Sequence, residues 1–454
     1  MGRERHVLQR REELRFEVTF GTSSTSTLST ASGTTSFILQ KGSCELYGCE
    51  LAIGKTYTIA HGGIKAALFT WHGCVIDLGA VDDNSSTGGV EFFAYTSDET
   101  DANVAFVNTH AQLEALRDEA AAAIAAGTTT STGGDGPRVM IVGPPECGKT
   151  TLAKILVAYA CKVGRTPLMV DLDPMDNSLS VPGSLTVAPM ASCAVSVESY
   201  ATTGLPINVL YHGSTSKLHP DLFKGQIDSM AESIEKRLER DELARSSGII
   251  VNTNGWIRDD GYDCLLYAAK SLKISVLLIL GHDRLYSMLT IIPKILKLPR
   301  SGGVVSRPSR FVTSCRSRAV KRYFYGDLIP DPNASTSEDE IKVYKLSSMA
   351  LSGSVLPVGQ QQSTDAIQLV EIDIQNDPEE AKSLQHSLIA ICHPTAVDAY
   401  NKSGRGRDLV TAGVAGFCVV DKVVTETDRL HLLSPCAGSL PSKTMIIGDI
   451  TWME

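Results

Sequence analysis

The sequence predicts an α/β protein in which a central domain with a mainly parallel sheet is flanked by an N-terminal all-β domain and a small C-terminal α/β or β-rich domain. Three observations predict this class. Short runs of β-branched and aromatic residues fill the beginning of the chain, apolar strands alternate with helical stretches in the middle, and β-rich runs return towards the end. The length of 454 residues exceeds what one hydrophobic core organises and favours about three domains.

We assign residues 1–110 to the N-terminal domain and predict a β-sandwich or a small barrel. Its strand-like runs are "LRFEVTF", "CELYGCELAIGKTYTIA", "AALFTWHGCVIDLG" and "VEFFAYTS", and clusters of Gly, Asn and Ser separate them. The Ser/Thr-rich stretches at 21–35 and 82–89 are expected to be loose insertions between strands.

Residues 111–137 are predicted to contain a helix and a linker. The periodicity of Asn108–Gly127, which is rich in Ala and Glu, indicates the helix, and "TTTSTGGDGP" then ends it. The C-terminal domain is expected at 331–454, where β-rich runs such as "IKVYKLSS", "VAGFCVVDKVV" and "TMIIGDITW" follow a polar, acidic stretch.

The central domain is expected at 138–330. Its apolar strands are "RVMIVG", "TPLMVDLD", "GIIVNTNGW" and "ISVLLILG", and helical stretches lie between them. Strands that alternate with helices are typical of a parallel sheet with both faces covered.

The overall composition limits the classes of function. Apolar residues make up 43% of the chain, which is typical of a globular protein, and no apolar run approaches the ~20 residues of a membrane span. A net charge of −9 argues against broad nonspecific affinity for nucleic acids but leaves room for a local basic groove. The eleven cysteines include no C-x-x-C pair, which favours a reducing compartment, cytosol or nucleus.

The strand "RVMIVG" leads into a loop of the G-x-x-x-x-G-K-[ST] type, a P-loop, which favours a RecA-like central domain. Two glycines let successive backbone N–H groups converge on a phosphate, and the following helix adds its positive end. The lysine neutralises the β- and γ-phosphates, and the threonine hydroxyl ligates magnesium. The expected nucleotide-binding residues are Gly143, Glu146, Cys147, Gly148, Lys149, Thr150 and Thr151.

A P-loop enzyme also needs a carboxylate at the end of a neighbouring strand. The run "PLMVDLDPMDN" offers Asp171, Asp173 and Asp176. The apolar part of this strand ends at Leu172, so Asp173 is expected at its carboxyl end, where open α/β sheets bind ligands. We therefore predict that Asp173 organises magnesium together with Thr150 or accepts a proton.

The chain also carries a series of further motifs in a fixed order. They are "ELRFEV", "FTWHG", "NTH", "GPRVMIVGPPECGKTT", "NSLSVPG", "VNTNGWIRDDGY", "DRLYS", "LPRSGGVVSR", "RYFYG", "VAGFCVV" and "LSP". With them the sequence resembles, over nearly its whole length, the polynucleotide 5′-hydroxyl kinases whose eukaryotic members are subunits of the pre-mRNA cleavage and polyadenylation machinery.

The resemblance implies ATP and Mg2+ as cofactors and assigns roles to several residues. Glu13 and Lys65 of the N-terminal domain would contact the nucleotide base, although by themselves they read as surface charges. Asp173 would be the general base that takes the proton of an RNA 5′-hydroxyl. Trp256 would stack on a base near the RNA 5′ end, and a core position is the alternative.

The resemblance further implies a lid whose arginines close over the phosphates. The segment "SCRSRAVKRYFYG" supplies it on a predicted helix, and Arg316 and Arg322 match best. A solvated basic helix face is the alternative. With Arg300 and Arg307, this cluster would form the local basic patch that the acidic total conceals.

One segment departs from the family pattern. Active relatives carry D-x-G-Q where this chain has Asp173, Met175 and Asp176. The departure leaves two functions open: an RNA 5′-hydroxyl kinase, or a scaffold that holds ATP as a structural ligand without turnover. In either case the resemblance implies a nuclear protein that is monomeric within a complex with other processing subunits and has no membrane contact. A kinase would also contact an RNA 5′ end. A tRNA-splicing role stays open.

Overall fold

The computed structural model describes residues 3–19, 35–59, 64–80, 91–127, 135–191, 195–197, 202–289, 294–326, 335–338, 342–347, 368–372, 382–424, 429–436 and 438–453. The predicted fold class is confirmed, because a central α/β domain follows an N-terminal β-sandwich and precedes a β-rich domain. The predicted insertions at 21–35 and 82–89 lie outside the described residues, except for Thr35, as does most of the predicted linker.

Two sheets form the N-terminal domain. Its strands are β1 (Glu4–Leu8), β2 (Glu13–Thr19), β3 (Thr35–Gly42), β4 (Glu45–Leu46), β5 (Cys49–Glu50), β6 (Thr56–Ile59), β7 (Ile64–Phe69), β8 (Cys74–Ala80) and β9 (Glu91–Ser97). One sheet has the order β1-β8-β3-β6 and the other β5-β4-β7-β2-β9. Phe16 and Phe37 come from different sheets, and their ring centroids lie 6.2 Å apart in the shared core, which makes the domain a sandwich.

The outer face of the second sheet carries charged residues. Because alternate residues of a strand point to opposite faces, the burial of Leu14 and Phe16 in the core turns Glu13, Arg15 and Glu17 to the other face. Antiparallel pairing of β2 with β7 sets Lys65 opposite Glu17 on this face. The two predicted base-contact residues therefore share one surface.

Helix α1 (Asp101–Ala125) connects the first two domains. It begins at Asp101, earlier than the predicted Asn108, because Ala102 and Phe106 pack into the core of the central domain. The fully buried Arg117 donates its Nε to the carbonyl of Ser247 at 2.9 Å and fastens α1 to that domain.

The central domain contains β10 (Arg138–Val142), α2 (Lys149–Lys162), β11 (Leu168–Leu172), β12 (Ser184–Pro189), β13 (Asn208–Tyr211), α3 (Pro220–Arg240), α4 (Glu242–Ser247), β14 (Ile249–Thr253), α5 (Asp260–Ser271), β15 (Val276–Leu280), α6 (Asp283–Met288), β16 (Lys294–Leu298) and α7 (Ser309–Tyr325). The sheet order is β13-β12-β11-β14-β10-β15-β16, parallel except for β12 and β13. Strand β14 lies between β10 and β11, so the loops that follow these three strands meet at one edge of the sheet.

The N-terminal domain packs on the helix that follows the P-loop. Gly48 has a φ of +81°, and a Cβ there would lie 3.2 Å from the Cβ of Ala158 and from the carbonyl of Ile155 on α2. The hydroxyl of Tyr159, also on α2, donates to the buried Glu45 carboxylate at 2.6 Å. A shift of α2 therefore acts directly on the N-terminal domain.

The C-terminal domain contains β17 (Ser335–Glu338), β18 (Lys342–Ser347), β19 (Gln368–Ile372), β20 (Ser387–Cys392), α8 (Pro394–Ser403), α9 (Arg407–Val410), β21 (Val414–Val424), β22 (Arg429–Leu433) and β23 (Thr444–Thr451). The C-terminal domain packs against α7 through Trp452. The indole Nε1 of Trp452 donates to Ser317 Oγ at 3.0 Å, and its ring stacks on Phe324 with centroids 6.1 Å apart. Among the helices in the described part of the chain, none is long and apolar enough to cross a membrane.

Candidate nucleotide-binding and phosphoryl-transfer site

The loop between β10 and α2 has the backbone of a phosphate cradle. Gly148 precedes α2 with a φ of +96°, and Glu146 has a φ of +55°, so both lie in the left-handed region. A Cβ at Gly143 would lie only 2.7 Å from Cys147 Sγ, which excludes a larger residue. Thr151 is exposed on the first turn of α2.

Lys149 is held inside this loop. Its side chain is buried, and its Nζ donates to the carbonyl of Pro144 at 2.8 Å. Burial lowers the pKa of Lys149, and the charges of Cys147 and Asp173 oppose this shift. An ammonium with so little contact with water gains strongly from a phosphate partner, because charge pairing is stronger in a dry site.

A buried polar chain connects the P-loop to the neighbouring strands. The amide Nδ2 of Asn252, on β14, donates to Asp171 Oδ1 at 2.9 Å and to Thr150 Oγ1 at 3.3 Å. Asp171 is fully buried and also accepts from the hydroxyl and the backbone N–H of Ser178. The sequence analysis missed Asn252, whose signal was a polar residue inside the apolar run "GIIVNTNGW".

Asp173 lies directly after β11, as predicted. Its backbone N–H donates to Asp171 at 3.1 Å, and its Oδ1 accepts from the N–H of Met175 at 3.0 Å. Burial raises the pKa of Asp173 to about 7, the charges of Asp171 and Asp176 act in the same direction, and Lys149 opposes them. A carboxyl with such a pKa can take up and release a proton near neutral pH.

The raised pKa of Asp173 predicts a pH-dependent cost to folding. In the unfolded chain the carboxyl ionises near pH ~3.9. The folded chain keeps its proton up to about pH 7, so the free energy of unfolding falls as pH rises between these values. We expect Asp173→Asn to stabilise the nucleotide-free protein by up to about 4 kcal/mol at pH 8 and to change its stability little at pH 4.

Urea unfolding at both pH values measures this difference. Asp98→Asn, which removes an exposed carboxylate, is the matched control. Equal stability of the wild type and Asp173→Asn at pH 8 would contradict the raised pKa.

One segment, residues 300–311, contacts the P-loop, and we call it the strap. Its Gly302 and Gly303 lie against Arg15 of β2, since a Cβ on either would approach the guanidinium to 3.0 and 3.1 Å. A Cβ on Gly148 would lie 3.2 Å from Val304 of the strap. The strap therefore contacts the N-terminal domain and the P-loop together.

Both predicted base-contact residues lie beside the strap. Glu13 is buried, accepts from Arg15 Nε at 2.5 Å, and would lie 3.5 Å from a Cβ on Gly303. Lys65 pairs with Glu17 at 3.0 Å, and its Nζ lies 5.4 Å from the ring centroid of Phe311. Neither residue is an isolated surface charge.

The strap also carries an arginine that contacts Asp176, one of the residues that differ from the D-x-G-Q pattern of the family. Arg307 donates its backbone N–H to Glu146 Oε1 at 2.7 Å and its Nη1 to Asp176 Oδ2 at 2.8 Å. Ser306 Oγ donates to the other oxygen of Glu146 at 3.0 Å. Asp176 is thus not an unpaired carboxylate at the phosphate end of the site.

Family models match three consecutive parts of the chain. The model described as "N-terminal beta-sandwich domain of polyadenylation factor" matches residues 7–120, and "mRNA cleavage and polyadenylation factor CLP1 P-loop" matches 143–326. "Pre-mRNA cleavage complex II protein Clp1" matches 332–454. The chain belongs to the Clp1 family.

Whole-length relatives agree with this assignment. The chain is 33% identical to a "Protein CLP1 homolog" of Brugia malayi, over 99% of this chain and 95% of the relative. It is 31% identical to the "Polyribonucleotide 5'-hydroxyl-kinase Clp1" of Homo sapiens, over 98% and 96%. The matched chain of a wild-type Clp1p–Pcf11p complex has the same fold, with a TM-score of 0.76 at 21% identity, over 100% of this chain and 98% of the other.

The lid arginines predicted from the Clp1 family resemblance lie on α7. Arg316 donates its Nε to the carbonyl of Met175 at 2.9 Å, which brings it to the loop that follows Asp173. Arg322 lies further along α7. Burial lowers the pKa of Lys154 to about 8, and the charge of Arg322 contributes to this shift. Arg316 therefore contacts the strand-end loop, and the phosphate role of both arginines stays a prediction.

Trp256 lies in the loop after β14, next to the P-loop. A Cβ on Gly255 would lie 2.6 Å from Pro145, so the two loops touch. The indole is half-buried, whereas β14 before it is fully buried, and its backbone N–H donates to Asn254 Oδ1 at 2.9 Å. This position on the rim leaves the indole partly accessible, and the RNA contact of Trp256 stays a prediction.

Proposed function

We propose that this chain is an ATP-binding subunit of the nuclear pre-mRNA cleavage and polyadenylation machinery and binds ATP with Mg2+ between its N-terminal and central domains. The observation that carries this proposal is the strap, which contacts Glu13 and Lys65 on one side and the P-loop of Lys149 on the other. A ligand held by both domains stabilises their packing by linkage.

The residues around Thr150 fit a magnesium ion. The expected ligands are the Thr150 hydroxyl and phosphate oxygens, with carboxylates of Asp171 or Asp173 acting directly or through water. Among the described residues, the buried Oδ1 of Asn252 has no hydrogen-bond partner, and it would accept from a metal-bound water. In the described part of the chain, no group of three His, Cys, Asp or Glu is placed to hold a metal ion. In this proposal, phosphate oxygens and water complete the magnesium coordination.

A second candidate function is phosphorylation of an RNA 5′-hydroxyl. Asp173 would take the hydroxyl proton, the 5′-oxygen would bond to the γ-phosphorus, and the bond from that phosphorus to the β-phosphate oxygen would break to release ADP. The near-neutral pKa of Asp173 supports it. Trp256 would stack on the first base.

We infer that the chain acts within a complex. A structural neighbour was solved as Clp1p with Pcf11p, and a subunit of that kind is the proposed partner of this chain. The matching family models are described as mRNA cleavage and polyadenylation factors, and on this ground we propose a nuclear location.

An RNA-labelling assay separates the kinase from the scaffold. The purified chain is incubated with γ-labelled ATP, Mg2+ and a 5′-hydroxyl RNA, beside a Met175→Gly, Asp176→Gln double variant. For a kinase we expect labelling by the wild type. Activity in the double variant alone would show that the departure silences the kinase.

Retention of ATP through gel filtration tests the binding proposal independently. Because both domains contact the strap, we expect ATP to stay bound on the column whether or not RNA is labelled. Loss of all ATP at saturating loading would contradict the binding proposal.

A further inference from the structure

The backbone and the guanidinium of Arg307 bind different partners. Its backbone N–H is bonded to Glu146 of the P-loop, its Nη1 lies 2.8 Å from Asp176 Oδ2, and its Nε lies 4.0 Å from Glu146 Oε1. The side chains of Arg307 and Asp176 are 34% and 37% exposed, so the ion pair lies at the edge of solvent and can exchange partners. The guanidinium can therefore change its partner without movement of the strap.

The pair lies within electrostatic reach of the phosphate end of the site. The charge of Arg307 contributes to the lowered pKa of Lys149, and the charge of Asp176 contributes to the raised pKa of Asp173. The charged and titratable groups that interact with Arg307 include Asp176, the Cys315 thiol, Glu146, Lys149 and Tyr47. A γ-phosphate bound at the P-loop would therefore approach the Arg307 guanidinium while Asp176 is paired with it.

We propose that Asp176 competes with the γ-phosphate of ATP for Arg307, and that this competition sets the preference of the site for nucleoside triphosphate over diphosphate. The inference rests on the proposed ATP site. Arginine binds phosphate oxygens in pairs and does so more strongly than it binds one carboxylate oxygen. ADP has no γ-phosphate and leaves the ion pair intact.

Removal of the carboxylate should release the guanidinium. We expect Asp176→Asn to raise the affinity for ATP about three- to tenfold and to change the affinity for ADP less than twofold, a range that corresponds to the net energy of a half-buried charge pair. Arg307→Gln should lower the affinity for ATP about tenfold with little effect on ADP. Isothermal titration with ATP and ADP in the presence of Mg2+ measures both.

A double-mutant cycle identifies the mechanism. If Asp176 acts through Arg307, then Asp176→Asn has no effect on the ATP-to-ADP affinity ratio in the Arg307→Gln background. If Asp176 instead repels the γ-phosphate directly, the same change raises the ratio in both backgrounds, which overturns the proposal. Thermal unfolding of each variant confirms that it is folded.

A matched control comes from another arginine pair. Glu235→Gln breaks the contact of Glu235 with Arg138 at 2.6 Å, away from the P-loop, and should leave both nucleotide affinities unchanged. Absence of saturable ATP binding in the wild type would refute the proposed function itself. Normal ATP binding with an unchanged ratio in Asp176→Asn would refute only the competition.

Discussion

Replacement of Lys149 by alanine is expected to weaken ATP binding by at least about 100-fold, which is close to 3 kcal/mol. The ammonium is buried in the P-loop and paired with one backbone carbonyl, so phosphate oxygens are its natural charged partners. Isothermal titration with ATP and Mg2+ measures the loss. An affinity within tenfold of the wild type would contradict the phosphate role of Lys149.

The same substitution should not unfold the nucleotide-free protein. Burial lowers the pKa of Lys149, which means that the charged form is disfavoured in the folded state. Alanine relieves this cost, so thermal unfolding without nucleotide should occur at the wild-type temperature or above. Lys236→Ala, which removes an exposed lysine paired with Glu232 on α3, controls for the loss of one positive charge and should bind ATP normally.

The predicted parts of the site are those that local sequence determines. The P-loop needs only a strand, two glycines, a lysine and a helix in succession, and Asp173 was predicted because the apolar strand before it ends at Leu172. The alternation of strands and helices likewise sufficed for the class of the central domain. These signals lie within a few residues of the features that they predict.

The missed contacts depend on pairs that are distant along the chain. Asn252 meets Thr150 and Asp171 only because β14 lies between β10 and β11 in the sheet, and the sequence does not state this order. The Arg307–Asp176 pair joins the strap to the strand-end loop across the site. The sequence suggested Arg307 as part of a basic patch and Asp176 as an added charge, but not that the two neutralise each other.

Replacement of Asp173 by asparagine is expected to lower RNA 5′-phosphorylation by about 100-fold or more while ATP binding stays within a few fold of the wild type. The amide keeps the size of the side chain and an oxygen that can accept from the N–H of Met175, but it cannot take the hydroxyl proton. The measurement is the initial rate of label transfer to a 5′-hydroxyl RNA at saturating ATP. An unchanged rate would exclude Asp173 as the base.

The pH dependence separates a proton-transfer role of Asp173 from a purely structural one. If Asp173 is the base, the rate of the wild type rises with pH as the carboxyl ionises around pH 7, and the residual rate of Asp173→Asn lacks this step. Asp173→Asn is also expected to be more stable than the wild type at pH 8, because it removes the cost of ionising a buried carboxyl. A variant that gains stability and loses phosphoryl transfer has not lost activity by unfolding, so the combination would assign the loss to the missing carboxylate.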